Sequence, residues 1–232
     1  MNEAICNRKS PAQPLVICDC GLSPYAEALA LQLDLCAKRR QNAIDNTVLL
    51  LEHPAVITLG ARKTENKLLQ SRENLTRQGI DVVDVRRGGG TTAHNPGQIV
   101  AYPILELKSL GLDINGYVRQ LEAIGIDLLA QFGVAAARRK GYPGLWIGEK
   151  KIGAIGVQLK KWVTLHGMAI NINNDLGIFE NIVPCGIEGV RITSVKNETS
   201  ATESIADVKQ RLSRLCVKYF SSEELVTYDD KA

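Results

Sequence analysis

The stretch LWIGEKKIGAIGVQL (145–159), followed by WVTLHGMAINI (162–172), decides the fold class. Its first part has two apolar arms around residues 148–150, a pattern typical of a β-hairpin. The second part is a further apolar run that begins after two lysines. Because the chain turns back between neighbouring arms, these strands pair in antiparallel fashion. The sequence therefore predicts a largely antiparallel sheet in this region.

Strands and helices are also predicted on either side of this stretch. Helices are expected near 24–40 and 114–132, and a last helix is expected to begin at a capping box of Ser200 with Glu203. Strands are predicted where β-branched and aliphatic residues cluster, at 15–20, 47–53, 55–60, 80–85, 98–107 and 190–195. No internal repeat or linker separates these elements.

Strands in clusters with a few helices indicate a single domain of the α+β class. We expect this domain to cover residues 15–225. The remaining segments are interpreted as a loose N-terminal arm (1–14) and a C-terminal tail (226–232).

The composition excludes several classes of protein. Apolar residues make up 45% and charged residues 23% of the chain, and the net charge of +3 is far below that of a typical nucleic-acid binder. No apolar run approaches the ~20 residues that cross a membrane. The first residues show no signal peptide, and six cysteines are too few for a disulfide framework. We therefore expect reduced thiols in the cytoplasm, with no nucleic acid and no membrane as partner.

The segment RRGGGTTAHNPGQ (86–98) is the most unusual part of the chain. A glycine triplet indicates backbone that bends tightly or lets another group approach closely. The segment lacks the Gly-Lys-Ser/Thr ending of a P-loop and is not a GxGxxG motif. A plain glycine-rich hairpin loop is the alternative, but the density of arginine, threonine, histidine, asparagine and glutamine favours a ligand site.

A metal site is not predicted. The three histidines, together with Cys18 and Cys20, raise the possibility of zinc. However, the chain has no CxxC pair and no HExxH helix. Structural thiols are the preferred interpretation.

Two residues are candidates for nucleophilic chemistry. Cys185 lies in a bend between Pro184 and Gly186, and a nucleophilic cysteine needs a base or a positive charge beside it. Lys151 heads an apolar strand, where desolvation favours the neutral amine that accepts a proton. The residues alone also allow an ordinary loop cysteine and a solvated lysine at the hairpin tip.

Taken together, three segments resemble the lipoyl(octanoyl) transferase family: RGGGTTAHNPGQ (87–98), KIGAIG (151–156) with HGMAINI (166–172), and FENIVPCGI (179–187). Their order and separations also agree with that family, over roughly residues 15–200. The resemblance implies a mixed β-sheet flanked by helices, similar to the catalytic domain of biotin and lipoate ligases. It implies an acyltransferase that needs no cofactor and no metal.

The resemblance also implies roles for individual residues. Cys185 is expected to carry the acyl thioester, and Lys151 is expected to favour its thiolate. This chain has Ala93 and Asn95 where the family usually has an aromatic residue and a glycine, so Ala93 is expected to widen the acyl tunnel. The implied substrate-lining residues are Arg87, Gly88, Gly89, Gly90, Thr91, Thr92, Ala93, His94, Ala154, Ile155, Gly156, Gly167, Met168 and Ala169.

The implied activity is transfer of an octanoyl group from acyl carrier protein to a lysine of a lipoyl domain, the first step of endogenous lipoate synthesis. The implied acceptors are the lipoyl domains of 2-oxoacid dehydrogenases and the glycine-cleavage H protein. The alternatives are an ATP-dependent ligase of the lipoate or biotin type, suggested by Arg86 and Gly90, and a non-catalytic binder of lipoyl domains. No helix shows a spare apolar stripe, so a monomer is expected.

Overall fold

The computed structural model describes residues 14–187 and 189–221, with backbone alone for Cys185, and it confirms the α+β class. Apart from Pro14, the predicted segments 1–14 and 226–232 lie outside the described residues. The described helices are α1 (Tyr25–Arg40), α2 (Arg72–Arg77), α3 (Ile114–Ala130), α4 (Val195–Thr199) and α5 (Ile205–Phe220). The described strands are β1 (Leu15–Leu22), β2 (Asn46–Glu52), β3 (Val56–Leu59), β4 (Asp81–Asp84), β5 (Thr92–His94), β6 (Gln98–Ile104), β7 (Ala137–Arg139), β8 (Tyr142–Ile147), β9 (Lys150–Lys160), β10 (Val163–Asn171) and β11 (Arg191–Ile192).

The main sheet has the strand order β1-β2-β6-β10-β9-β8-β7, and β11 also pairs with β9. The pairs β8–β9 and β9–β10 are antiparallel, as the two apolar arms and the following run predict. Only β1–β2 and β11–β9 pair in parallel among the described strands of this sheet. The predicted antiparallel character is therefore confirmed.

Helices cover both faces of this sheet. Leu50 and Met168 point into a core formed with α3 and α5, whereas Leu49 and Ala169 pack with Ala28 of α1. Successive side chains of a strand point to opposite faces, so the central strands are buried on both sides. This explains their nearly continuous apolar sequences.

The glycine-rich segment 86–98 is not a single loop. Its residues Thr92–His94 form β5, which pairs antiparallel with β3 in a second, smaller sheet of order β4-β3-β5. Gln98 then begins β6 in the main sheet. The segment therefore crosses from one sheet to the other, and the second sheet has a core of its own around Ile57 and Phe179.

The last helix begins later than predicted, so the predicted capping box is wrong. Ser200 has φ +60° and follows the end of α4, whereas Ser204 is the residue before α5. A left-handed residue ends a helix, because it turns the chain out of the helical path. The pattern Ser-x-x-Glu therefore marks the connection between two helices. Within the described part of the chain, no helix is long and apolar enough to cross a bilayer.

Candidate functional site

Cys185 lies in a short 3-10 helix, Pro184–Gly186, which precedes β11. Gly186 has φ +67°, and a Cβ there would lie 3.0 Å from Cα of Glu65. Just before the bend, the Val183 N–H donates to the carbonyl of Lys67 over 3.1 Å. The bend is thus held by residues 65–67. A glycine suits the position after Cys185 because its φ is positive and because a side chain there would collide with Glu65.

Lys151 is buried close to the same bend. It is the second residue of β9, is 5% exposed, and pairs with Ile192 of β11. Lys151 and Pro184 line one small cavity, and Lys151 and Ile187 line a larger cavity of about 230 Å³, which we call the outer cavity. The fold therefore brings the backbone on both sides of Cys185 to spaces that Lys151 borders.

The two lysines at the start of β9 have different surroundings. The amine of Lys151 lies 3.5 Å from the carbonyl oxygen of Pro143 and 5.2 Å from the ring centroid of Trp146, which is buried. The Lys150 amine instead pairs with Glu198 at 2.5 Å. The environment singles out Lys151, which the sequence alone could not distinguish from a solvated lysine.

Arg87 organises the glycine loop. Its buried guanidinium donates to the carbonyl of Thr58 (2.9 Å), to the Thr58 hydroxyl (2.7 Å) and to the carbonyl of Gly90 (2.9 Å). Five donors in a rigid fork allow one arginine to fix several backbone groups at once. Arg87 therefore connects the small sheet to the loop that follows it.

Gly60 and Gly156 have no side chain, and this allows the backbone of the glycine loop to approach them closely. A Cβ at Gly60 would lie 2.1 Å from the carbonyl oxygen of Gly89, and a Cβ at Gly156 would lie 2.9 Å from that of Gly88. The Gly88 N–H also donates to the carbonyl of Val157 over 2.9 Å. The loop is thus joined to β9, and it forms one wall of a channel between the two sheets.

This inner channel brings together most of the predicted substrate-lining residues. It passes beside the outer cavity, because Gly88, Gly89, Ile155 and Gly156 line both. Sequence reasoning missed Tyr25 and Tyr102, which also line it and carry no local motif. The predicted residues along the channel are Arg87, Gly88, Gly89, Thr92, His94, Ala154, Ile155, Gly156, Gly167, Met168 and Ala169.

Three predicted lining residues lie elsewhere. The structure places Gly90 against Glu65, and it places Thr91 where its hydroxyl accepts from the Lys67 N–H at 3.0 Å. Ala93 packs in the core of the small sheet. The nearby Asn95 donates to the carbonyl of Asp175 over 2.7 Å, so it holds the adjacent loop.

The inner channel is tightly filled. The volume open inside it is about 30 Å³, so the lining side chains lie close together. Movement of these side chains would widen the channel for an alkyl chain. Met168 is suited to such movement because its unbranched side chain adapts to irregular space.

His94 and His166 line this channel, and the buried His53 packs against His94. His53 and His94 have ring centroids 5.5 Å apart, and Nδ1 of His166 lies 3.4 Å from the hydroxyl of Tyr25. His53 Nδ1 donates to the carbonyl of Ser23 (2.7 Å), which leaves Nε2 to accept from the hydroxyl of Tyr102 (2.8 Å).

Burial keeps these rings neutral. Desolvation lowers the pKa of His53 and of His166 to about 4, and it lowers the pKa of His94 well below its usual value. The channel therefore presents neutral rings, not imidazolium charges, to whatever occupies it at neutral pH.

Acid should consequently destabilise the protein. A histidine with a lowered folded-state pKa contributes stability above the unfolded pKa of ~6.5, and this stability is lost as the pH falls toward 4. From about pH 7 to about pH 5, we expect the free energy of unfolding to fall by about 2 kcal/mol for each of His53 and His166. Urea unfolding at several pH values measures this fall, and His53→Gln should reduce it by one histidine's share. An identical slope in wild type and variant would contradict the assignment.

Comparisons with known proteins agree with the family that the sequence motifs resemble. The family described as "Lipoyl protein ligase A/B catalytic domain" matches residues 24–216. An octanoyltransferase of Solibacter usitatus is 43% identical over 205 residues, which cover 88% of this chain and 92% of that protein. A mitochondrial octanoyltransferase of Arabidopsis thaliana is 39% identical over 212 residues, 90% of each chain. The crystal structure of a lipoate-protein ligase A bound with ATP superposes with a TM-score of 0.70 at 20% identity, covering 89% of this chain and 85% of that one.

Proposed function

The chain belongs to the lipoyl protein ligase A/B catalytic-domain family, and we propose that it transfers an octanoyl group to protein lysines through a thioester on Cys185. Its relatives at 43% and 39% identity over most of the chain are octanoyltransferases, which makes this chain an acyltransferase, as the sequence motifs predict. One structural observation supports the thioester mechanism most directly. Pro184 and Ile187, on either side of Cys185, line cavities that Lys151 also lines.

The first half-reaction loads the enzyme. Lys151 accepts the proton of the Cys185 thiol, and the thiolate attacks the carbonyl carbon of an octanoyl thioester on acyl carrier protein. A carbon–sulfur bond to Cys185 forms and the bond to the carrier breaks. The departing carrier sulfur takes a proton from Lys151, so the lysine is ready for the second step.

The second half-reaction delivers the acyl group. A lysine amine of a lipoyl domain attacks the thioester carbonyl, an amide bond forms, and the bond to the Cys185 sulfur breaks. Lys151 takes the proton that the amine loses and returns it to the departing Cys185 sulfur. The acyl group arrives already activated, so this sequence of steps uses no ATP. That feature separates it from the ATP-dependent ligase, which remains the alternative.

The inner channel and the outer cavity are the proposed place of the octanoyl chain. The walls of the inner channel consist largely of glycine, alanine and neutral rings, and Arg87 directs its guanidinium to backbone carbonyls, whereas Arg62, Glu65 and Lys151 line the outer cavity. Apolar and neutral walls suit an alkyl chain because they bury it without desolvating a charge. The eleven predicted residues along the channel remain predictions in this role, and Gly90, Thr91 and Ala93 lie away from its walls.

The partners follow from the proposed reaction. Acyl carrier protein serves as donor, and lipoyl domains of 2-oxoacid dehydrogenases and of the glycine-cleavage H protein serve as acceptors. We propose that the enzyme acts as a monomer in the cytoplasm. The Arabidopsis relative is mitochondrial, so an organelle matrix is the other compartment to test.

Intact-mass measurement tests the thioester. After incubation with octanoyl acyl carrier protein, the wild-type chain should gain one octanoyl group, located to Cys185 by peptide analysis and removable with hydroxylamine. Cys185→Ser should gain no such hydroxylamine-labile group. A wild-type enzyme that turns over while no adduct is ever found on Cys185 would contradict the mechanism.

A further inference from the structure

Glu122 is a carboxylate in an apolar setting with no part in the steps above. It lies on the buried face of α3 between Leu121 and Ile124, and its side chain is 2% exposed. A buried carboxylate costs free energy unless its charge is paired and hydrogen-bonded. Its partners therefore indicate what it holds in place.

Both oxygens of Glu122 are used. Oε2 accepts from Nη1 of Arg119 (2.9 Å) and forms an ion pair with Nε of Arg138 (3.1 Å). Oε1 accepts from the backbone N–H of Gly144 over 3.3 Å. The two arginines are partly exposed, with side chains 58% and 41% accessible, so the contact that reaches inward is the one to Gly144.

The peptide group that Glu122 holds is also the one that faces Lys151. The Gly144 N–H and the Pro143 carbonyl belong to one planar unit and point in opposite directions. Glu122 accepts from the N–H edge, and the Lys151 amine lies 3.5 Å from the carbonyl oxygen at the other edge. Fixing one edge of a rigid plane helps to fix the other, so Glu122 contributes to the orientation of this acceptor, together with the pairing of Gly144 with Ala154.

Gly144 itself brings this peptide close to the lysine. Its φ of +135° lies outside the range that side chains adopt readily, and a Cβ there would lie 2.9 Å from Cε and 3.4 Å from Nζ of Lys151. The stem of the lysine thus packs directly against the backbone of Gly144. A displacement of this peptide would displace the amine.

We infer that Glu122 is a positioning residue that holds the Lys151 amine beside Cys185 through the Pro143–Gly144 peptide. The inference rests on the proposed function, in which Lys151 activates the thiol. Glu122 makes no contact with the reacting groups in this scheme. It acts by restricting where the base can lie, and misplacement of a catalytic group by about 1 Å can cost about 100-fold in rate.

Other charged groups also lie near Lys151. Arg62 and Glu65 line the outer cavity and pair with each other at 2.9 Å. The guanidinium of Arg139 lies 4.8 Å from the ring centroid of Trp146, the ring that Lys151 also approaches. These groups are the same in every variant proposed below, so their effect cancels in the comparison.

Two substitutions at Glu122 separate its two kinds of contact. Glu122→Met conserves volume and removes every acceptor, and both arginines can turn to solvent, so folding should survive. Glu122→Gln keeps an oxygen for the Gly144 N–H but loses the charge that pairs with the arginines. Asp127→Asn is the matched control, since Asp127 lies on the same helix and accepts from Lys218 and Tyr219 of α5.

The readout is the pH dependence of Cys185 alkylation by iodoacetamide, with Cys185 identified by peptide mass, beside kcat/KM for octanoyl transfer. Glu122→Met should move the alkylation profile to higher pH by about one unit and lower kcat/KM about 10- to 100-fold. Glu122→Gln and Asp127→Asn should stay near wild type. In a Lys151→Met background, Glu122→Met should move the profile no further.

The possible results lead to different conclusions. If Lys151→Met moves the profile and Glu122→Met does not, the positioning role is wrong and the proposed function stands. If Glu122→Met has the same effect with and without Lys151, Glu122 acts by another route and the inference is equally wrong. If Lys151→Met itself leaves the profile unchanged, the base assignment and the inference fail together.

Discussion

Cys185→Ala is expected to abolish octanoyl transfer, with a loss of roughly 1,000-fold or more, because removal of a covalent nucleophile leaves no equivalent route. The substitution removes one sulfur from a short 3-10 helix whose backbone is held by neighbouring segments, so the fold should persist. The rate is measured as octanoyl amide formed on a lipoyl domain, with octanoyl acyl carrier protein as donor.

The control for this substitution is Cys20→Ala, which removes a partly buried thiol from β1 and should leave the rate nearly unchanged. Free octanoate with ATP forms a second arm of the experiment. Transfer by Cys185→Ala that requires ATP would contradict the thioester mechanism and would favour the ligase alternative.

Lys151→Met is expected to lower the rate of transfer about 100- to 10,000-fold, the usual contribution of a positioned general base. Methionine has a similar length and is apolar, so it fits the buried place between Gly144 and Trp146 without leaving a charge unpaired. The deficit should shrink as the pH approaches the ordinary thiol pKa of ~8.5, where the thiolate forms without a base. Transfer rates across this pH range measure both effects.

Lys150→Met is the matched control at the adjacent position. Its amine pairs with Glu198, with a side chain that is 36% exposed, so a loss within a few-fold is expected. Equal losses in the two variants would contradict a specific role for Lys151. A deficit in Lys151→Met that does not change with pH would show that the lysine supports the structure and does not act on the thiol.

The hairpins and the long helix were predictable because their signals are local. The apolar arms of β8 and β9 are adjacent in the chain, so their pairing requires contacts over short separations. On α3, Leu121, Ile124 and Leu128 are buried as their helical spacing predicts, although Ile114 at its first turn is exposed. The capping box at Ser200 failed because a four-residue pattern does not report the backbone angle that ended the previous helix.

The functional assignment depended on a different kind of information in the sequence. The glycine triplet, Lys151 and the Pro-Cys-Gly sequence are each ambiguous alone. Their joint order along the chain identified the family that the comparisons confirm. The pattern could name Cys185 and Lys151 without any knowledge of their surroundings. It could not say that Ala93 would pack in the core of the small sheet.

Local spacing and a shared family pattern were therefore enough to establish the α+β class and the hairpins, and to nominate Cys185 and Lys151 for catalysis. Three features came only from the folded chain: β5 belongs to a second sheet, Tyr25 meets His166 across 141 positions, and Glu122 reaches Gly144 across 22. Such contacts join residues distant in the chain, and no local propensity encodes them. The buried environment of Lys151, which supports its proposed role as a base, belongs to this second group.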